Sequence, residues 1–207
     1  VGSKSAEGKM SPRNMLTTTI GDELKIATDF KAKVIGVSLK DRAAILPAGH
    51  AADGAYWIDY STGTFISSTY YMKELPKWAV DYNKSIGKVT KDLICYTPLG
   101  NKITEEMAKA AVAGEQLGGD NVTDLLAVSF SCTDMIGHKY GTHSDKTREI
   151  YVDLDKRLAD LSGYLDQNVG KDQYLVFLMA DHGAANSILL SREHGIPADG
   201  FVVPKVE

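Results

Sequence analysis

The sequence predicts an α/β fold in which a mostly parallel sheet is covered by helices on both faces. Short apolar strands alternate with amphipathic helices along the 207 residues, as in parallel strands joined by helical crossovers. The composition suits such a core, because 43% of the residues are hydrophobic and 24% are charged. We expect residues 1–207 to belong to a single domain.

The first half of the chain contains a buried strand, a hairpin and a helix. Residues 33–39 form a β-branched run that predicts the strand. Residues 55–60 and 64–67 flank a glycine turn and predict a β-hairpin. Residues 84–100 predict a loop, and Thr104, which two glutamates follow, predicts the start of a helix.

The second half repeats the order of strand, helix and strand. Residues 124–130 predict a buried strand, and Ser144 predicts the N-cap of a long helix with apolar residues on one face. Residues 173–180 predict the next strand. The longest apolar run, from Tyr174 to Ala180, is far shorter than the ~20 residues that span a bilayer, so we expect no membrane span.

The charge and the cysteines exclude several classes of protein. A net charge of −4, from 23 basic and 27 acidic residues, argues against a nucleic-acid polymer as partner, since phosphate contacts need a basic surface. The two cysteines, Cys95 and Cys132, cannot form a disulfide framework. The N-terminus shows no targeting sequence.

Charged and ligating side chains follow three of the predicted strands. Residues 33–39 lead into Lys40 and Arg42, and residues 124–130 precede Asp134 and His138. The third pair, Asp181 and His182, follows residues 173–180 directly. Ligands of open α/β sheets bind at the carboxyl ends of the strands, so we expect one site there.

The residue types indicate metal and phosphate chemistry. Asp134 and His138 are four residues apart, so one helical turn lets both face a single ion. Asp181 and His182 could hold a second ion. Carboxylate and imidazole donors suit zinc, and manganese or iron less well. Lys40 and Arg42 cannot ligate a metal, but beside one they would bind an anion such as phosphate.

Each of these motifs also has a purely structural explanation. An aspartate before a glycine turn commonly caps a helix, and a Lys-x-Arg pair is commonly a solvated face. His50, in a glycine-rich loop, either lines the site or bonds to the backbone. The placement of all three pairs at strand ends is what favours a functional site.

Seven segments of the chain together indicate a family: residues 11–15, 19–24, 38–43, 49–57, 67–72, 129–138 and 180–184. They resemble the type I phosphodiesterase/nucleotide pyrophosphatase family of the alkaline phosphatase superfamily, and within it the bacterial monomeric alkaline phosphatases with a threonine nucleophile. The resemblance covers nearly the whole chain.

The resemblance implies a two-zinc hydrolase that acts on small phosphate esters. Asp134 and His138 would hold one zinc ion, and Asp181 and His182 the other. Lys40 and Arg42 would contact the phosphoryl oxygens, which favours monoesters over diesters. Because many members of the family are exported, the resemblance also implies a periplasmic or extracellular parent enzyme.

The resemblance also implies that this chain is an interior part of such an enzyme. In the family the threonine nucleophile and an aspartate ligand lie upstream of the matching region, and a third histidine ligand lies downstream. The domain would therefore be incomplete at both ends, without a nucleophile and inactive alone. The region of residues 84–93 is shorter than in the family.

Two other functions stay open on the sequence. The first is another reaction of the superfamily, such as that of a diesterase, a nucleotide pyrophosphatase, a sulfatase or a phosphoglycerate mutase. The second is a non-catalytic binding domain that kept the fold. Activity on monoesters compared with diesters would separate the enzymes from one another.

Overall fold

Four strands form one sheet in a computed structural model, which describes residues 1–87 and 89–200. The strand order is β3-β2-β1-β4. β1 pairs in parallel with both β2 and β4, and β2 forms an antiparallel hairpin with β3. The predicted α/β fold with a mostly parallel sheet is confirmed. The strands are β1 (Val34–Ser38), β2 (Gly54–Asp59), β3 (Thr64–Ile66) and β4 (Leu125–Ser129).

Helices connect the strands, and short 3₁₀ turns precede the first helix. Within the described ranges, none of the helices combines the length and hydropathy that a membrane-spanning helix needs. The helices are α1 (Ile20–Ala27), α2 (Asp41–Ala48), α3 (Lys77–Ile86), α4 (Lys91–Tyr96), α5 (Pro98–Glu115), α6 (Cys132–Tyr140), α7 (Asp145–Leu165) and α8 (Ile188–Glu193).

The sheet separates two apolar cores, so helices cover both of its faces as expected. Val34 of β1 points into the smaller core, which α2 covers, whereas Ile35 and Val37 point into the larger core beneath α3 to α7. Gly36 lets α2 lie directly on β1, because a Cβ there would collide with the carbonyl oxygen of Ala44. This close packing fixes the N-terminus of α2 at the carboxyl end of β1.

The strand predicted at residues 173–180 is wrong. This segment has no regular secondary structure and pairs with no strand in the described part of the chain. Its apolar side chains lie in solvent, with exposures between 60% at Val176 and 86% at Met179. An apolar run indicates only that a segment has the propensity to form a strand. A strand also needs a neighbouring strand with which its backbone can form hydrogen bonds.

The loop predicted at residues 84–100 and the helix start predicted at Thr104 are also wrong. Apart from Lys88, which lies outside the described residues, much of this stretch is helical, as α4 and the first turns of α5. The N-cap of α5 is Thr97, whose side chain accepts a hydrogen bond from the Leu99 amide, and Pro98 occupies the first helical position. Thr104 lies inside α5 and bonds to the carbonyl oxygen of Gly100 instead.

Candidate metal and phosphate site

Two neighbouring parallel strands deliver the first four predicted site residues to one edge of the sheet. β1 ends at Ser38 and leads into α2, in which Lys40 is the N-cap and Arg42 lies in the first turn. β4 ends at Ser129 and leads into α6, whose first turn carries Asp134. Because β1 and β4 are paired in register up to Ser38 and Ser129, both helices begin side by side.

Asp134 is the centre of the side-chain cluster. Its Oδ2 atom lies 2.5 Å from Nζ of Lys40, and its Oδ1 atom lies 3.1 Å from Nε2 of His138. Partial burial would raise the pKa of Asp134, but the hydrogen bond and charge of Lys40 outweigh that effect and lower it overall. The predicted helical turn therefore does direct Asp134 and His138 to the same place.

His182 comes close to this cluster from the other end of the chain. Its Nε2 atom lies 4.0 Å from Oδ1 of Asp134 and 3.7 Å from Oδ2 of Asp181, so the ring stands between the two carboxylates. Its Nδ1 atom donates a hydrogen bond of 2.8 Å to the carbonyl oxygen of Gly183. That hydrogen bond, and then the charge of Asp181, raise the pKa of His182.

Two predicted site residues, Asp181 and Arg42, make fewer contacts with the cluster than the other four. The side chain of Asp181 is 91% exposed, and it meets the cluster only through His182. Arg42 is exposed and forms no ion pair within residues 1–87 and 89–200. The structure therefore brings Asp181 to the edge of the cluster, whereas it shows no contact between the Arg42 side chain and the cluster in the described residues.

Two serines at the same edge were missed as parts of the site. Ser38 accepts a hydrogen bond from the Lys40 amide and donates one to the carbonyl oxygen of Ser129. Its hydroxyl also lies 3.1 Å from the hydroxyl of Ser131, the N-cap of α6, and both serines are buried. These bonds tie the start of α2 to the start of α6. A small polar residue at the end of an otherwise apolar strand is the signal that could have found Ser38.

His50 lies elsewhere, with a structural role. Its Nδ1 atom is 3.4 Å from the buried carboxylate of Asp22, and its Nε2 atom is 3.0 Å from the carbonyl oxygen of Met15. The carboxylate of Asp22 also accepts hydrogen bonds from the backbone amides of Thr19 and Ala51. The histidine therefore holds the glycine-rich loop against α1, and the backbone-bonding alternative is the correct one.

The donors at the cluster match zinc in chemistry but not in number. Carboxylate oxygen and imidazole nitrogen are common zinc donors, yet zinc sites use at least three protein ligands. In the part of the chain that the structure describes, no three His, Cys, Asp or Glu side chains are arranged to hold one ion. The cluster as it stands is therefore not a complete metal site.

Carboxylates, imidazoles and cations at the carboxyl edge of a mostly parallel sheet are typical of α/β proteins that bind a ligand at this edge. The family model for type I phosphodiesterase / nucleotide pyrophosphatase matches residues 19–205. The chain belongs to the type I phosphodiesterase / nucleotide pyrophosphatase family.

Characterised relatives agree with this assignment. The chain is 42% identical to alkaline phosphatase PafA of Elizabethkingia meningoseptica, over 94% of this chain and 45% of the relative. It is also 42% identical to alkaline phosphatase PhoV of Synechococcus elongatus, over 90% of this chain and 42% of the relative. A crystal structure of wild-type PafA superimposes with a TM-score of 0.90, over 95% of this chain and 48% of the other. The chain thus spans less than half the length of these relatives, and its core is alkaline phosphatase-like.

Proposed function

We propose that this chain supplies the phosphate-binding edge, and part of the metal-binding edge, of an enzyme that hydrolyses phosphate monoesters. The observation that carries the proposal is the cluster around Asp134, in which a cation, a carboxylate and two imidazoles lie together where two parallel strands end. The two relatives named above are alkaline phosphatases, which supports the same reaction.

In this proposal the substrate is a small phosphate ester, bound through its non-bridging oxygens. Lys40 and Arg42 follow the same strand, and both have cationic side chains that can donate hydrogen bonds to phosphate oxygens. The amides in the first turns of α2 and α6 add positive partial charge, since no side chain caps either helix. A monoester carries one more charged oxygen than a diester, so two cations favour the monoester.

We further propose that the metal of the complete enzyme is zinc, with two ions. Asp134 and His138 would supply ligands to one ion, and Asp181 and His182 to the other. In hydrolases with two metals, the ions neutralise the charge of the attacking and leaving oxygens. The remaining ligands, and the nucleophile, would come from protein outside this chain.

The test compares two substrates in a full-length protein that contains this segment. In the variant Arg42→Ala we expect kcat/KM for a phosphate monoester to fall by about 30- to 1,000-fold, the effect of losing roughly 2–4 kcal/mol of transition-state stabilisation. For a diester we expect a loss of less than about tenfold, because the oxygen that Arg42 would contact carries no charge there.

A matched control is Arg148→Ala, which removes an exposed arginine from α7. It should leave both rates unchanged. Equal losses on both substrates in Arg42→Ala would contradict the monoesterase proposal and favour the diesterase that the family name describes. Absence of hydrolysis in the full-length protein, with either substrate, would favour the non-catalytic binding domain.

A further inference from the structure

The two edges of the sheet are built differently. At the outer edge of β3, the side chain of Asn83 accepts a hydrogen bond from the Phe65 amide and donates one to the Phe65 carbonyl oxygen. β3 is also only three residues long. Short edge strands and covered backbone groups are two means by which proteins prevent an edge from pairing with a further strand. The β3 edge is therefore protected.

The edge of β4 that lies opposite β1 has no such protection. β4 is Leu125–Ser129, and its five residues include no proline and no charged side chain. All five are partly buried, whereas every residue of β1 is buried. In the part of the chain that the structure describes, β4 pairs with β1 alone. Its composition is thus that of an inner strand, although it lies at an edge.

Residues 174–180 run from one end of β4 to the other, in the same direction as β4. Just before them, Val169 packs on Gly118, in the turn that leads into β4, so closely that a Cβ there would collide with it. Just after them, Nε2 of His182 lies 4.0 Å from the carboxylate of Asp134, in the first turn that follows β4. A strand, a helical crossover and a segment of the same direction are the parts of a βαβ unit, in which both strands belong to one sheet.

The apolar side chains of this segment form a continuous exposed surface. Residues 175–179 are Leu, Val, Phe, Leu and Met, with exposures between 60% and 86%. Apolar residues at consecutive positions are typical of a strand that is buried on both faces. A contiguous group of exposed apolar side chains usually marks a surface that a partner covers. The segment reaches both ends of β4, and yet it does not pair with β4.

We propose that an apolar β-strand docks between β4 and residues 174–180 and joins both into one sheet. The strand would come from the part of the full-length protein that lies outside residues 1–207. It would have about five residues, as β1 and β4 do. Its side chains would be apolar on both faces, because those of its two neighbours are. This docking surface does not depend on which reaction the protein catalyses.

The lengths of the relatives favour this source of the strand over a second copy of the chain. The chain covers 45% of PafA and 42% of PhoV, so more than half of each relative lies outside the matched region. A second copy suits the surface less well, because its β3 edge is protected by Asn83. Two β4 edges that paired with each other would leave residues 175–179 of both copies exposed.

Docking of the strand would also fix one half of the candidate site. Asp181 and His182 directly follow residues 174–180, and their side chains are 91% and 58% exposed. If residues 174–180 became a strand of the sheet, these two side chains would be held at the carboxyl edge, where the cluster around Asp134 already lies.

Photo-crosslinking in the full-length protein identifies the partner of this surface. One variant carries the photoreactive residue p-benzoylphenylalanine in place of Phe177, and a second carries it in place of Phe130, which directly follows β4. On irradiation the benzophenone group forms a covalent bond with a neighbouring C–H group. We expect both variants to capture the same apolar segment from outside residues 1–207, because a strand that lies between the two positions is next to both. Mass spectrometry of the crosslinked peptides identifies that segment.

The matched control carries p-benzoylphenylalanine in place of Tyr151, which is 57% exposed on α7. It should not capture this segment. Capture of β4 by the Phe177 variant would mean that residues 174–180 pair with β4 directly, and it would overturn the proposal. A crosslinked dimer would identify a second copy as the partner and would overturn it as well. The same holds if the Phe177 variant captures nothing, or if the Phe177 and Phe130 variants capture no common segment.

Hydrogen exchange tests the pairing in the unmodified full-length protein, and thus covers the case in which a photoreactive variant does not fold. The backbone amides of residues 175–179 should exchange about as slowly as those of β1. That rate should be at least about 100-fold below the rate of an unstructured peptide, since amides paired in a sheet exchange only when the structure opens. Exchange at the rate of an unstructured peptide would show that no strand docks there, and it would overturn the proposal.

Discussion

Two apolar segments of similar composition differ sharply in how far they are buried in this molecule. The strand β1, Val34–Ser38, is buried at every residue between β2 and β4. Residues 174–180 are at least as apolar, yet Leu175 to Met179 are between 60% and 86% exposed. The difference lies in the partners, because β1 has a strand on each side and a helix on each face, whereas residues 174–180 pair with no strand in the described ranges.

The same difference separates the two halves of the candidate site. Lys40 and Asp134 stand on helices anchored to paired strands, and their ion pair is partly buried. Asp181 and His182 stand at the end of the unpaired segment, and their side chains are 91% and 58% exposed. The sheet therefore positions one half of the site rigidly, and the other half depends on what residues 174–180 contact.

The largest expected effect compares the same substitution in the two regions. Phe65 in β3 is fully buried and packs on Tyr82, with the ring centroids 6.0 Å apart, whereas Phe177 is 77% exposed. We expect Phe65→Ala to lower the free energy of unfolding by about 3–5 kcal/mol, as large-to-small changes in cores do. Phe177→Ala should change it by less than about 0.5 kcal/mol. Urea unfolding followed by circular dichroism measures both, and comparable losses would show that residues 174–180 are packed in solution.

The next effect is a pH dependence that belongs to the packed region. Asp59, at the end of β2, is fully buried. Burial alone would raise its pKa, but hydrogen bonds from Ser3, Ser61 and Ser5 outweigh it and lower the pKa to about 2. A lowered pKa means that the carboxylate stabilises the fold above its unfolded value near 4, and that this stability is lost as the pH falls towards 2.

The expected loss over that range is about 2 kcal/mol for Asp59. Asp59→Asn should remove this part of the acid dependence, so its unfolding free energy should change less between pH 4 and pH 2 than that of the unchanged chain. Asp81→Asn, at an exposed pair on α3, is the control and should leave the acid dependence nearly as it was. An acid dependence that Asp59→Asn does not alter would show that these serines do not stabilise the charged form.

The sequence predicts most of the packed region because its signals there are local. The hairpin of β2 and β3 follows from a glycine turn between two apolar runs, and Ser144 caps α7 as expected, by accepting a hydrogen bond from the Thr147 amide. The turn of α6 that carries Asp134 and His138 is predicted from their spacing alone. In each case the neighbours in sequence are also the neighbours in space.

One failure is a local signal that was missed, and the others occur where residues distant in sequence determine the structure. Thr104 is predicted to start a helix because Thr97 and Pro98 fall in the predicted loop of residues 84–100, although a threonine before a proline is also typical of a helix N-terminus. Residues 173–180 have the composition of a strand, but composition does not say whether a neighbouring edge is available. The hydrogen bonds of Ser38 join residues that are more than 90 positions apart, and no local pattern reveals them.

The smallest expected effect concerns the anchor of the exposed segment. The single hydroxyl proton of Tyr174 is shared between two acceptors, the carbonyl oxygen of Ser162 at 3.2 Å and the carboxylate of Asp166 at 2.8 Å. These bonds hold the first residue of the segment against the end of α7. Tyr174→Phe should therefore leave the midpoint of global unfolding unchanged, because the rest of the segment contributes little to the packed core. It should increase the rate at which thermolysin cleaves residues 175–180 by about two- to threefold, since cleavage of native chains follows local opening.

Tyr151→Phe, on the exposed side of α7, is the control and should change neither quantity. A shift of the global midpoint in Tyr174→Phe would mean that the segment unfolds together with the sheet, and the contrast between the two regions would then be one of exposure only.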